Sequence, residues 1–285
     1  MSYQFENTIS DLQAAPTQQG RSLAAGDRLY LSQYEQDLAG FTPISLAEME
    51  SVALLNRNDT KYLCGIDKLR QILPSLARDY RVLEIDQERI HPYQTLYFDS
   101  PDFALYLMHH AGRSNKYKVR SRRYISSDLS FLEVKHKTSD DRTNKQRLRT
   151  ERFLSEISPE AGRFIETYAP FSSEILEAKL WNSFSRVTLV GRAHPERVTI
   201  DLDLSYSIQD RSLGLSEIVV VEVKQDGIQR RSPFIQQMRS ALSRPMGFSK
   251  YCIGVALLYP HIKHNNFKPK LQQVRKLMKG SFDVN

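Results

Sequence analysis

The sequence predicts an α+β protein, a mainly antiparallel sheet or barrel with helices outside it. Seven runs rich in Val, Ile, Tyr and Thr are broken by Gly, Asp or Ser, as short strands are. Five of these runs divide into one apolar face and one face dense in charge. Between them lie helix-like segments that carry caps or a proline near the first turn.

Residues 1–40 are rich in Gln, Ser, Ala and Asp with scattered apolar positions, which predicts a flexible arm with a short helix around Leu29 to Leu38. In "SLAEMESVALL", Ser45 followed by Glu48 is a capping box opening a helix. "TKYLCGI" reads as a strand. "IDKLRQILPSLARDY" reads as a helix bent or ended near Pro74. The strands "YQTLYFDS", "NKYKVRSRRY" and "LSFLEVKHK" follow, then the helices "SPEAGRFIETYAP" and "SSEILEAKLWNSF". "RVTLVGR", "RVTIDLDLSYSI" and "EIVVVEVKQ" complete the strands, and "RSPFIQQMRSAL" is a helix with Pro233 in its first turn. No low-complexity linker divides residues 41–260, which read as one domain. The basic tail over 261–285 reads as a solvated helix.

Alternation assigns the charges to faces. Lys118, Arg120 and Arg122 share one face, opposite Tyr117, Val119 and Ser121; Arg123 falls on the apolar side. Glu133, Lys135 and Lys137 lie opposite Leu132 and Val134. Arg186 and Thr188 lie opposite Val187 and Leu189. Arg197, Asp201 and Asp203 lie opposite Val198, Ile200, Leu202 and Leu204. Glu222 and Lys224 lie opposite Val219, Val221 and Val223. "LEVK" at Leu132–Lys135 and "VEVK" at Val221–Lys224 repeat the same charged pair. Like charges two residues apart, roughly 6–7 Å, repel by about 2.5 kcal/mol at an effective dielectric near 20. A closed barrel carries such a face only with a polyanion or carboxylates to compensate. Many cations with few acids suit a phosphate chain with a divalent metal.

The 285 residues carry a net charge of +7, with a pI near 9.3. Residues Arg113 to Arg149 hold twelve Lys or Arg against four Asp or Glu, so the remainder is close to neutral. The basic character therefore belongs to one region. The two cysteines, Cys64 and Cys252, form no disulfide or zinc pattern and fit a reducing, cytoplasmic setting. No leader pattern opens the chain, and "YCIGVALLY" is far short of the about 20 residues a membrane helix needs, so no transmembrane segment is expected. The seven histidines form no metal pattern and read as surface residues. No P-loop, nucleophile elbow or kinase signature is present.

"NDTKYLCG", "YFDSPDFALYLMHHAGRSNKYKVRSRRY", "FLEVKHK", "ERVTIDLDL", "VVVEVK" and "GFSKYCIG" occur in one order. That ordered set resembles the vacuolar transporter chaperone (VTC) domain of the triphosphate tunnel metalloenzyme, or CYTH-like, superfamily, over about residues 41–260. The resemblance implies an eight-stranded antiparallel β-barrel, open at its ends, with helices packed outside. It implies a tunnel whose Lys and Arg hold ATP, another nucleoside triphosphate or inorganic polyphosphate, with Mn²⁺ or Mg²⁺ on a late-strand Glu. Eukaryotic relatives transfer the ATP γ-phosphate to a growing polyphosphate chain.

By motif, Lys61, Arg120, Arg122, Lys135, Arg186 and Arg197 resemble the catalytic cations. Lys118, Lys224, Ser249 and Lys250 resemble phosphate contacts. Glu222 resembles the metal ligand, and Glu133 shares its kind of face. Hydrolytic members of the superfamily open with Glu-x-Glu-x-Lys, where this chain has "RNDTK", Arg57 and Asp59 taking the glutamate positions. These 285 residues show no pattern of the phosphate-sensing helical domain or membrane helices of the yeast-type proteins, so the resemblance implies neither membrane-coupled translocation nor that mode of regulation. Two other functions compete: a triphosphatase in the same tunnel, and a non-enzymatic binder of polyphosphate or single-stranded nucleic acid. Only Tyr124 shares the cation face of "KYKVRSRRY", whereas a base-stacking surface wants several aromatics. No stable nucleic-acid complex is therefore expected.

Overall fold

The computed structural model describes residues 34–51, 57–140, 142–227 and 232–278. Most of the expected arm, residues 1–33, lies outside them, as does the "VALL" end of the first expected helix. The order is β1 (Thr42–Ile44), α1 (Leu46–Ser51), β2 (Arg57–Gly65), α2 (Ile66–Ile72), β3 (Tyr80–Leu83), β4 (His91–Asp99) and α3 (Ala104–His110). Then come β5 (Lys116–Tyr124), β6 (Leu129–Lys137), β7 (Thr143–Thr150), α4 (Pro159–Tyr168), β8 (Glu177–Gly191) and β9 (Glu196–Ser207). β10 (Ser212–Leu215), β11 (Ile218–Asp226), α5 (Pro233–Ser240), α6 (Lys250–Leu258) and α7 (Lys268–Leu277) finish the chain.

The caps act as the residues suggest. Glu48 N–H donates to Ser45 Oγ at 3.3 Å and Ser45 N–H donates to Glu48 Oε2 at 3.0 Å, closing the capping box of α1. Ser158 and Ser232 accept from the backbones of Ala161 and Ile235, each with proline at the next position. α2 stops at Ile72, where a 3₁₀ turn carrying Pro74 takes over. One expected helix is a strand. "SSEILEAKLWNSF" holds a short 3₁₀ turn and then the start of β8, in which Leu180, Asn182 and Phe184 are buried at every second position.

The strands form one eleven-stranded sheet with the main path β2–β11–β9–β8–β4–β5–β6–β7. Every step on that path is antiparallel. β10 adds to β9, β3 adds to β8, and β1 pairs with β3 in parallel. The expected eight-stranded barrel is corrected in two ways. The strands are more numerous, and among the described residues no ladder joins β2 to β7 to close the sheet. The far edge of β2 is taken by the segment before α6: Tyr62 bridges Pro245, and Met246 N–H donates to Lys61 O at 2.8 Å.

The sheet is nevertheless curled. Lys61 of β2 acts electrostatically on Lys118 of β5 and Lys135 of β6, strands at the other end of the path. The outer face is apolar and covered. Ile200, Val221 and Val223 pack with Leu69 of α2 and with Phe234 and Met238 of α5, while Val119 and Leu132 pack with Ile165 of α4. The inner face is charged along its middle and apolar at one end. There Leu63, Phe184, Leu204, Tyr206 and Val220 pack with Tyr251, Ile253 and Val255 of α6. Gly254 permits this approach, since a Cβ would stand 2.5 Å from Leu180 Cδ2 and 2.6 Å from Tyr206 Cδ1.

Strict alternation fails once on β9. Asp203 has φ +49° and the β8–β9 register shifts between Ser183 and Ser185. This bulge turns Leu204 inward and leaves Asp203 exposed, away from Asp201. Arg123, on the apolar side by parity, turns out to solvent and pairs with Asp128 at 2.7 Å. The basic tail also departs from a solvated helix, because Leu271 and Val274 of α7 are buried in the core behind α6. Tyr34 and Leu38, in a helical turn over 34–38, are buried too. Of the histidines, His91 and His110 are buried instead of lying at the surface.

Candidate functional site

Three carboxylates organise the inner face, and each is held between cations. Glu222 of β11 stands opposite Lys61 of β2, with Lys61 Nζ 3.3 Å from Oε1 and Lys224 Nζ 3.1 Å from Oε2. Burial pushes the Glu222 carboxyl up, but Lys224 and Lys61 outweigh it and hold the group well below the usual range. Glu133 of β6, 1% exposed, stands opposite Arg120 of β5. Arg120 donates from Nε at 2.7 Å and reaches Oε2 with Nη2 at 2.6 Å, and Lys145 of β7 pairs with Oε1. Asp201 of β9 receives a two-pronged bond from Arg186 of β8, Nε to Oδ1 at 2.6 Å and Nη2 to Oδ2 at 2.8 Å. Lys250, the first residue of α6, pairs with Oδ2 of the same carboxylate.

The other cations gather around these nodes. Lys118 faces Lys135 across the β5–β6 ladder. Burial first, then the repulsion of Lys118, Lys61 and Arg120, brings Lys135 down to about 7 from an ordinary 10.5. Burial, then Lys61 and Arg120, brings Lys118 to about 8. Arg122 is buried, and its Nε donates to Thr95 Oγ1 at 3.2 Å. Beneath lies an aromatic plate, Tyr93 stacked on Phe184 at 5.1 Å. The Arg122 and Arg186 guanidiniums stand 5.6 and 5.1 Å from the Tyr93 centroid, and Lys250 Nζ stands 4.5 Å from that of Phe184. Lys61, Lys118, Arg120, Arg122, Lys135, Lys145, Arg186, Lys224 and Lys250 thus converge around these three carboxylates, with Asp59 of β2, exposed and opposite Lys224, as a fourth at the edge. Burial first, and then mutual repulsion, lowers Lys118 and Lys135, so cations are packed here more closely than the neighbouring carboxylates offset.

The structure brings together most of the residues singled out by alternation and motif: Lys61, Lys118, Arg120, Arg122, Glu133, Lys135, Arg186, Glu222, Lys224 and Lys250. Two stand differently. Arg197 pairs across the ladder with Lys224, but its Nη2 donates to Met49 O of α1 at 3.0 Å. Ser249 caps α6, its hydroxyl accepting from Cys252 N–H at 3.2 Å, so its part is to start the helix that carries Lys250. Sequence reasoning missed Lys145, the anchoring of Arg186 and Lys250 by Asp201, and the Tyr93–Phe184 plate. The alternating cations Lys145, Arg147 and Arg149 were the available signal for β7. Parity with Arg186 was the signal for Phe184.

The described residues contain no group of three or more His, Cys, Asp or Glu placed to hold a metal. Glu133 is enclosed by Arg120 and Lys145 and serves as their counter-ion. Glu222 is more open, its side chain 19% exposed. Glu222, paired with Lys61 and Lys224 yet partly exposed, fits Mg²⁺ or Mn²⁺ only in the manner in which phosphate oxygens and water supply most of the coordination. It does not fit an all-protein metal cage.

The family model of the VTC domain matches residues 56–259. A search of the curated proteins returns no match. Among solved structures, a candidate adenylyl cyclase of Hippeastrum with a dominant triphosphatase activity is similar at 12% identity and a TM-score of 0.43, over 70% of this chain and 94% of that one. A candidate adenylate cyclase of Bacillus halodurans is similar at 13% identity and a TM-score of 0.42, over 68% of this chain and 96% of that one. One of Vibrio parahaemolyticus is similar at 10% identity and a TM-score of 0.39, over 68% and 94%.

Proposed function

Because the chain belongs to the VTC domain family, we propose that its charged inner face binds ATP and inorganic polyphosphate and transfers the γ-phosphoryl group of the nucleotide to the end of the chain. The observation that carries this reading is the convergence of nine cations on three carboxylates, with Lys118 and Lys135 at about 8 and 7. Phosphoryl transfer asks the protein chiefly for alignment and charge stabilisation. Arg120, Arg122, Lys118 and Lys135 would hold one stretch of phosphates; Arg186, Lys61, Lys224 and Lys250 would hold another. The ion pairs with Glu133 and Asp201 fix the direction of the forks before substrate arrives. Glu222 would hold Mg²⁺ or Mn²⁺, which when bound would neutralise phosphate oxygens and the charge that develops on the leaving ADP.

The carboxylates bear on the choice of acceptor. All three are held well below the usual range, which makes them poor bases for activating water. A terminal phosphate oxygen is already anionic and needs no base. Chain growth is proposed ahead of the competing triphosphatase on this ground and on membership of the VTC domain family, while Lys135, at about 7, is the group that would activate water in a triphosphatase. The test is incubation of the purified protein with ATP and Mn²⁺ or Mg²⁺, followed by gel and ³¹P NMR detection of polyphosphate. Chain growth is expected. ATP consumed to free phosphate alone would make the protein a triphosphatase, and ATP bound without turnover under either metal would make it a binder. Glu222→Gln should abolish turnover while leaving phosphate binding within about threefold, since it removes the metal carboxylate and no cation.

A further inference from the structure

Along its own strand Tyr124 is the one aromatic ring on the cation face, but the folded sheet gives it neighbours. Tyr93 of β4 stands opposite Tyr124 across the ladder, with ring centroids 4.8 Å apart. On the other side the Phe131 ring of β6 meets Tyr124 edge-on at 5.7 Å. The Arg147 guanidinium of β7 lies 5.0 Å from the Phe131 centroid, and Arg122 pairs with Phe131 across the β5–β6 ladder. The group lies away from α6, whose Tyr251 stacks on Tyr97, four residues and roughly 13 Å along β4 from Tyr93. Tyr93 is committed, since it underlies Arg122 and Arg186 and stacks on Phe184. Tyr124 and Phe131 are only half-buried, and Arg147 is exposed. Leu132, which faces the other way, is wholly buried in the core under α4. The outer face thus takes the apolar side chains that packing needs, while two large rings stand on the charged side in contact with water. Half-open rings bordered by a weakly hydrated guanidinium are a surface on which a flat heteroaromatic ring stacks.

We infer that Tyr124, Phe131 and Arg147 form the seat of the nucleobase when a nucleoside triphosphate occupies the inner face. This rests on the reading of that face as a triphosphate site and adds where the base of the donor goes. Side chains two apart on β5 stand roughly 6–7 Å from each other. Arg122 therefore follows the seat at a distance that leaves room for a ribose, and Arg120 follows Arg122 toward the middle of the face. The base stacks on the Tyr124 and Phe131 rings with Arg147 folding over it, and the phosphates run inward. Every base has a ring face, so the seat distinguishes large rings from small ones and does not read the hydrogen-bonding edge.

The experiment measures affinities by calorimetry on the full protein with Mg²⁺. The ligands are the β,γ-imido analogue of ATP, its guanine and cytosine counterparts, and inorganic tripolyphosphate, which has no base. Tyr124→Ala and Phe131→Ala variants, folded by circular dichroism, should each lose about five- to a hundredfold of the affinity for the ATP analogue, as the loss of one base–aromatic stack does, and keep tripolyphosphate within about threefold. In the unaltered protein the adenine and guanine analogues should bind within about threefold of each other and the cytosine analogue more weakly. An unchanged affinity for the ATP analogue in both variants, or equal losses for the analogue and tripolyphosphate, would overturn the seat and leave the site reading standing. So would binding of tripolyphosphate without binding of any nucleotide. A tenfold or greater preference between adenine and guanine would show that an edge is read and refute a seat made of ring faces. A short oligoadenylate that binds as tightly as the ATP analogue and is lost in the same variants would make the rings a nucleic-acid surface and also overturn it. If neither tripolyphosphate nor nucleotide binds, the site reading fails and the inference with it.

Discussion

Lys118 and Lys135 show what one side chain on this face experiences. Burial and neighbouring cations bring them to about 8 and 7 from an ordinary 10.5, so both lose their protons within the working range of pH. A bound phosphate chain reverses the repulsion and raises both values, so binding takes up protons. Affinity for tripolyphosphate should therefore fall as pH rises through 7 to 9, by about tenfold or more, since each pH step above the pKa of a proton that binding requires costs a factor of ten. Calorimetry in two buffers of different ionisation enthalpy measures the uptake directly, and a pH-independent affinity would count against the assignment. For the free protein the sign is opposite. The folded values lie below the unfolded one, so the unfolded chain binds more protons between about pH 7 and 10.5, and these two groups favour folding more as pH rises. These cations were legible because a strand sends every second side chain one way. Lys250 needed its motif, because it reaches Asp201 from a helix, where strand parity says nothing.

At the level of elements, α6 joins the apolar end of the inner face to the charged middle. Its seat depends on Gly254, where a methyl group would press on Leu180 and on the buried ring of Tyr206. Gly254→Ala should gain up to about 1 kcal/mol of helix propensity and lose about 1–3 kcal/mol to overpacking, for a net destabilisation. Because Lys250 opens the same helix, tripolyphosphate affinity should fall along with the melting temperature. A variant with unchanged melting temperature and affinity would show that α6 can shift without consequence for the site. Apolar alternation identified β5, β6, β9 and β11, because each has a dry outer face. β7 escaped it, since "TNKQRLRT" has Leu148 as its one apolar residue. The start of β8 imitates a helix, since Leu176, Leu180 and Phe184 stand four residues apart, while its true two-residue period runs through the buried Asn182.

For the molecule as a whole, closure was the feature that alternation could not decide. An apolar outer face and a charged inner face are required equally of a closed barrel and of a curled sheet with a seam. The difference lies in what pairs with the far edge of β2, and the partner is the irregular segment at Pro245 and Met246, which has no strand pattern. The consequence is a molecule that gathers nine cations around three carboxylates on the inner face of one curled sheet. Folding alone must hold those cations together, at about 2.5 kcal/mol of repulsion for each uncompensated pair near 6–7 Å. A polyanion that binds only the folded state removes that load and adds its own binding energy. At a hundred times its dissociation constant a ligand contributes about 2.7 kcal/mol, roughly 4–5 °C in melting temperature for a chain of this size. Inorganic tripolyphosphate should produce such a shift, and sodium sulfate at equal ionic strength should produce much less, because screening weakens repulsion without bridging Arg120, Arg186 and Lys250. Equal shifts from the two salts would mean that the face is merely screened, and that nothing on it is shaped for a phosphate chain.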